Sequence, residues 1–184
     1  MHWAETPYGS PALLLIAFAE SSFFPIPPDI LLIALAVSIP ARSFKYAGIA
    51  LIGSVTGGMF GYLIGYEFFE LFGRKIIDFY GIVDEFNYVG IKYNENAFYA
   101  IAVAGFTPIP YKVFTIAAGT FKVNFMTLVL ASLVSRFSRF FLVAALIWKF
   151  GPSIKSFIDR YFNILSIVFV ILLIGGILFV KLLI

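Results

Sequence analysis

The run Ala19-Glu20-Ser21-Ser22-Phe23-Phe24-Pro25-Ile26-Pro27-Pro28-Asp29 separates two strongly apolar segments, Leu13–Ala19 and Ile30–Ser38. Such flanks read as membrane helix, yet three prolines and two carboxylates interrupt them. Each proline lacks an N–H and clashes with the preceding turn, so Pro25, Pro27 and Pro28 argue against a continuous helix. Broken backbone at membrane depth is tolerated only where protein or a wet cavity satisfies it. Ionisable residues at that depth are rare and usually mark a pathway. Glu20 and Asp29 are therefore candidate site residues.

The totals agree with a membrane setting. Of 184 residues, 61% are hydrophobic and only 12% charged, where a soluble domain is nearer a quarter charged. The length allows one compact membrane unit, 1–184. The net charge of +3 comes from scattered basic residues, with no run that would point to nucleic acid. Zero cysteines exclude disulfides and thiolate chemistry, and the single histidine, His2, is terminal. The usual zinc ligand sets are thus missing. No serine-hydrolase elbow or phosphate-cradling loop is present, so neither a metal, a cofactor nor an enzymatic reaction is expected. A basic n-region is lacking, which argues against a signal peptide.

Outward from the first break, Pro11 fits a first helical turn, and Ala12–Phe24 is about 13 residues, roughly 20 Å. That falls short of the ~30 Å hydrocarbon core. Asp29–Ile39 gives a second half-length helix that stops at Pro40. Two half-spans around a proline corner predict a re-entrant hairpin; one kinked span is the alternative. Arg42 and Lys45 mark a basic turn before a full-length span, Ala47–Phe72, ending at Gly73. Its Gly57-x-x-x-Gly61-x-x-x-Gly65 spacing sets small residues on one face for close helix approach. Segment 74–95 is too polar to span and too apolar for a free loop, which predicts an amphipathic interfacial element.

The pattern then repeats. Ala97–Phe106 is a short apolar run that meets Thr107-Pro108-Ile109-Pro110-Tyr111-Lys112, and Val113–Phe121 follows as another half-length helix. Phe125–Phe150 is a second full-length span, closed by Gly151 and Pro152, and Tyr161–Ile184 is a final apolar span. The two breaks, one holding Pro25 and Pro27 and the other Pro108 and Pro110, are offset by 83 residues (108 − 25). With one long span between them, the copies at about 12–73 and 97–151 would open to opposite sides as an inverted repeat, a transporter architecture. The fold class expected is an all-α integral membrane protein with two proline-broken re-entrant hairpins.

Charges at equivalent positions differ in sign. Asp29 complements the positive end of the half-helix it starts, whereas Lys112 opposes it. Lys112 either snorkels to the interface or shares an anion with the free N–H groups there. Glu20 has no basic neighbour one turn away; it is either a proton carrier or the partner of Arg136 or Arg139. Those two arginines, at i and i+3, share one helix face and lie too deep in their span to snorkel easily. They need a carboxylate or phosphate partner.

These residues resemble the DedA family of membrane proteins, also called the SNARE-associated or VTT-domain family. The resemblance rests on Glu20 with Pro25-x-Pro27-Pro28-Asp29, on Gly61-Tyr62-Leu63-Ile64-Gly65, on the amphipathic segment, and on Gly105 through Lys112 leading to Ala118-Gly119. It is nearest to the YqaA-like branch. The resemblance implies facing re-entrant hairpins and a role in moving phospholipids or polyprenyl phosphates across a bilayer, driven by the proton motive force. By position, Glu20 and Asp29 match the family's acidic pair. Typical members carry arginines flanking the proline of the second break; here Thr107 stands in the first of those places, and Lys112 is the nearby base.

Three readings follow. The first is a lipid transporter or scramblase in which Lys112, Arg136 and Arg139 hold an anionic headgroup while Glu20 and Asp29 couple binding to protonation. The second is a proton- or sodium-coupled carrier of a small solute, and the third is a membrane scaffold with structural ion pairs. The expected partners are membrane lipids and coupling ions, with no nucleic acid, in a prokaryotic cytoplasmic (inner) membrane. Basic residues divide five against five between the two sides, so the positive-inside rule sets no orientation and leaves room for a homodimer.

Overall fold

The computed structural model describes residues 8–24, 27–107 and 109–151. Pro25 and Pro108 of the two breaks, and the expected span 161–184, lie outside the described residues. Among the described residues every regular element is helical. These are α1 (Gly9–Ser22), α2 (Pro28–Ser38), a 3-10 turn (Pro40–Arg42), α3 (Ser43–Phe68), a π-helical turn (Phe69–Gly73), α4 (Arg74–Tyr80), α5 (Val83–Glu95), α6 (Ala97–Phe106) and α7 (Tyr111–Thr120). The last is α8 (Phe125–Gly151).

Proline sets the local boundaries. Pro27 is extended and caps α2, with Pro28 in the first helical position, where its missing N–H costs nothing. Pro110 caps α7 in the same extended conformation. Pro11 falls in the first turn of α1. The Asn124 side chain accepts from the backbone N–H groups of Met126 (2.9 Å) and Thr127 (3.3 Å), an N-cap for α8.

The expectation that the first long span ends at Gly73 is corrected. Pro40–Tyr80 is one uninterrupted helical run of 41 residues. Gly73 keeps helical dihedrals (φ −58°), and the chain turns instead at Gly81, which caps α4 in the left-handed region (φ +66°). That conformation is open to glycine at little steric cost. Only α5 and the preceding turn are therefore separate from that helical run. Pro40–Tyr80 and α8 are both long and apolar enough to cross a membrane.

Large apolar side chains lie on both sides of the helices. Leu15 (63% exposed) and Ile30 (68% exposed) face outward, while Ala17, Ser21, Ser22, Ala50 and Ser54 are among the residues sealed where α1 and α3 meet. Lipid tails offer no hydrophobic drive for helix association, so bundles in membranes rely on close contact between small residues. Helix α3 shows how. A Cβ on Gly53 would lie 2.5 Å from the Leu14 carbonyl oxygen, and one on Gly57 would collide with the Phe18 backbone. Further along, a Cβ on Gly65 would meet the Ile116 carbonyl. The pairings Gly53–Leu14, Gly57–Phe18 and Gly61–Ser21 advance together along both chains, so α1 runs parallel to α3. Gly58–Tyr111 and Gly65–Ile116 do the same for α7.

Two core clusters flank this ladder. One joins Leu13, Leu32, Leu35 and Ala36 to Tyr46, Ala47 and Ala50 of α3 and to Phe140, Ala144 and Ile147 of α8. The other joins Ala97 and Ile101 of α6 to Tyr111 and Ala118 of α7 and to Leu128 and Ala131 of α8. Helix α8 thus serves both. Helix α5 is tied on by Tyr93, whose hydroxyl donates to the Phe114 carbonyl at 2.8 Å. Burial raises that phenol's pKa and keeps the donor protonated.

Candidate functional site

The two breaks meet. The Lys112 ammonium donates to the Phe24 carbonyl at 3.0 Å, joining the start of α7 to the chain just beyond α1. This resolves the apparent conflict of a lysine at a helix N-terminus. The charge lies against the carbonyl end of α1, where a helix dipole favours a cation.

Both arginines of α8 reach this junction, each to a different carboxylate. Arg139 makes a fork to Asp29, Nε to Oδ1 at 3.1 Å and Nη2 to Oδ2 at 2.8 Å. Its Nη1 donates to the Thr107 carbonyl at 2.7 Å. One guanidinium therefore spans the N-terminus of α2 and the C-cap of α6. Bidentate charge-assisted bonds of this kind are among the stronger contacts a protein makes.

One turn earlier, Arg136 is 2% exposed. Its Nη2 lies 3.5 Å from Glu20 Oε2, a long contact. Its guanidinium sits 4.1 Å from the Tyr111 ring centroid, and its Nε has no hydrogen-bond partner. Charge balance is present, but hydrogen-bonding capacity is left over. Such a group is where a further acceptor fits.

A layer of hydroxyls holds the site. The Ser21 hydroxyl donates to Glu20 at 3.1 Å and lies 2.7 Å from Ser54 Oγ, so Ser54 is the donor between the two serines. Ser22 is shared between the Phe18 carbonyl (2.7 Å) and the Gly57 carbonyl (3.0 Å). Tyr111 donates to Ser132 at 2.5 Å, and the Ser132 hydroxyl in turn donates to the Leu128 carbonyl at 2.6 Å. Gly58 leaves the space for that phenol, since a Cβ there would be 2.5 Å from the hydroxyl.

All five charged residues singled out from the sequence, Glu20, Asp29, Lys112, Arg136 and Arg139, thus gather at the two breaks. Of the five prolines, Pro27, Pro28 and Pro110 flank them; Pro25 and Pro108 are not described. Sequence reasoning missed Tyr111, Ser21, Ser54 and Ser132. The available signal was serine beside an ionisable residue inside an apolar run, at Ser21 next to Glu20 and at Ser132 and Ser135 just before Arg136.

Comparison with known sequences decides the family. The VTT domain model matches residues 26–149. The chain belongs to the VTT-domain, or DedA, family. Similar proteins include an uncharacterized protein of Haemophilus influenzae, 36% identical over 86% of this chain and 84% of its own. Another, from Histophilus somni, is 34% identical over 86% and 85% respectively. No solved structure matches. VTT-domain proteins are membrane proteins, and the two apolar helices agree. Membership in this family is consistent with a transporter-like role.

Proposed function

We propose that this VTT-domain protein is a lipid transporter or scramblase of the YqaA-like branch, acting in a bacterial cytoplasmic membrane and moving lipid without altering it chemically. One observation carries the reading. Two arginines from α8 are neutralised by two carboxylates from the first break, at the point where both breaks converge. Protonating Glu20 or Asp29 releases an arginine whose natural replacement partner is the phosphate of an anionic headgroup. Lys112 adds a third cation, and the unpartnered Nε of Arg136 adds a donor. The coupling ion in this reading is the proton, with sodium as the alternative.

An inverted repeat of re-entrant hairpins fits the element boundaries. The 83-residue offset carries the start of α2, Pro28, onto the start of α7, Tyr111, and the start of α3, Ser43, to within one residue of the start of α8. Since α1 runs parallel to α3, and α2 ends beside the start of α3, α2 returns toward the side from which α1 departs. Discontinuous helices around a central site are the hallmark of repeat-built transporters.

The test is headgroup movement in proteoliposomes. Fluorescent phospholipids and a polyprenyl phosphate are followed with and without a proton gradient. Movement that is present in the wild type and lost in folded Glu20→Gln and Arg136→Ala proteins supports the reading. Equal rates in wild type and variants sink the mechanism. No movement of either lipid by a folded protein favours the small-solute carrier.

A further inference from the structure

A groove of about 710 Å³ opens between α5, the π-helical turn and the turn joining α7 to α8. The ten residues of α7, ~15 Å at 1.5 Å per residue, separate it from the charged junction. Its floor is aromatic: Phe69 stacks on Phe86 at 4.8 Å, and Phe86 meets Phe121 at 5.0 Å. Its rim is cationic. Arg74 approaches Glu70 at 3.6 Å, and Lys122 pairs with the same carboxylate oxygen. One carboxylate between two cations leaves a positive charge in excess. Glu95, the other acid on the wall, is taken up by Lys92 at 3.0 Å.

The rim is held at a cost. Lys122 has φ +51°, a conformation that L-residues other than asparagine and aspartate seldom adopt. The Asn94 amide clamps the turn by donating to the Phe121 carbonyl at 2.9 Å, and Gly90 leaves room for the Phe121 ring. Local strain that the surroundings enforce tends to accompany function, and a π-helical turn is a second such mark. Ile91, on the groove wall, is 59% exposed, so the apolar floor continues onto an exposed apolar side chain.

We infer that this groove is a second lipid site, which holds an anionic phospholipid with its phosphate against Arg74 and Lys122 and its glycerol and upper acyl region on the Phe69–Phe86–Phe121 floor. A free phosphate would use the cations alone; the aromatic floor and the exposed Ile91 beside it select a lipid. The site does not depend on the central pairs moving anything.

The chain has no cysteine, so Asn87→Cys places a single label on the groove wall. The bimane-labelled protein is reconstituted into phosphatidylcholine bilayers containing either brominated phosphatidylglycerol or brominated phosphatidylcholine. Phosphatidylglycerol is expected to quench at several-fold lower mole fraction at low ionic strength. Arg74→Gln and Lys122→Asn should each lower that preference about fivefold, the ratio that ~1 kcal/mol per surface cation represents. Asparagine suits the left-handed turn, so Lys122→Asn removes charge without adding strain. Glu20→Gln should leave the preference unchanged, which separates this site from the central mechanism. Equal quenching by the two lipids, or a preference unmoved in the double charge variant, overturns the inference. So does full relief of quenching by inorganic phosphate at constant ionic strength, which would make the groove a phosphate-ion site.

Discussion

Arg136 and Arg139 stand three residues apart on one helix face, carry the same charge and each face one carboxylate, yet their settings differ. Arg139 is partly exposed (22% of its side chain), forked onto Asp29 and bonded to a carbonyl of the other break. Arg136 is nearly sealed (3%), with one long contact to Glu20 and an aromatic face. The first is held by geometry and the second by charge in a poorly solvating setting. Geometry is lost with any change in shape, whereas a buried charge tolerates loose bonding but not removal of its partner. Arg139 is thus suited to clamp the two breaks, and Arg136 to respond when Glu20 changes its charge.

The largest expected effect separates the two directly. Arg136→Ala should destabilise the protein by on the order of 3–5 kcal/mol, because it empties a nearly sealed site and leaves the part-buried Glu20 carboxylate with only the Ser21 hydroxyl. Arg139→Ala should cost about half as much, since the Arg139 side chain is more exposed and water can fill its place. Denaturant unfolding in detergent measures both, and equal losses would remove the asymmetry. Next comes Gly58→Ala, whose methyl displaces the Tyr111 ring on which Arg136 rests; overpacking of this kind costs about 1–3 kcal/mol. A double-mutant cycle should couple it to Arg136 and not to Arg139. Arg139→Lys keeps the charge but loses the fork, for about 1–2 kcal/mol, and should leave the breaks less rigid by hydrogen exchange at Thr107 and Asp29. Smallest is Lys112→Met, within about 1 kcal/mol in stability. Its main consequence should be weaker headgroup capture in the transport assay. Exchanging the charges of Glu20 and Arg136 sharpens the functional side: recovered stability without recovered transport argues against a purely structural pair.

Much of this was legible beforehand, for identifiable reasons. Proline acts through its own ring, so both breaks and the stop at Pro40 could be placed from local chemistry. The candidate charges stood out because burying them is costly anywhere. Which arginine meets which acid was not legible. That choice depends on how α8 lies against α1 and α2, a matter of packing between segments more than 100 residues apart. Gly73 misled for a related reason: a glycine permits a helix end without requiring one, and only a left-handed dihedral, found at Gly81, marks the turn. The hydroxyls of Ser21, Ser54 and Ser132 stayed hidden because serine in an apolar helix bonds its own backbone as readily as a neighbour.

Four of the six glycines of α3 fall at 53, 57, 61 and 65, one every four residues or about 6 Å of helix rise. Because α1 and α7 touch this face largely through backbone and small groups, few long side chains interlock across it. The face is a rack with evenly pitched notches. The notches are not interchangeable: those at 53 and 57 receive α1, that at 65 receives α7, and that at 61 lies against both. Rotation away from the rack drives carbonyl oxygens into side chains. One helix thereby holds both α1 and α7 in register, and with them the two breaks that they carry.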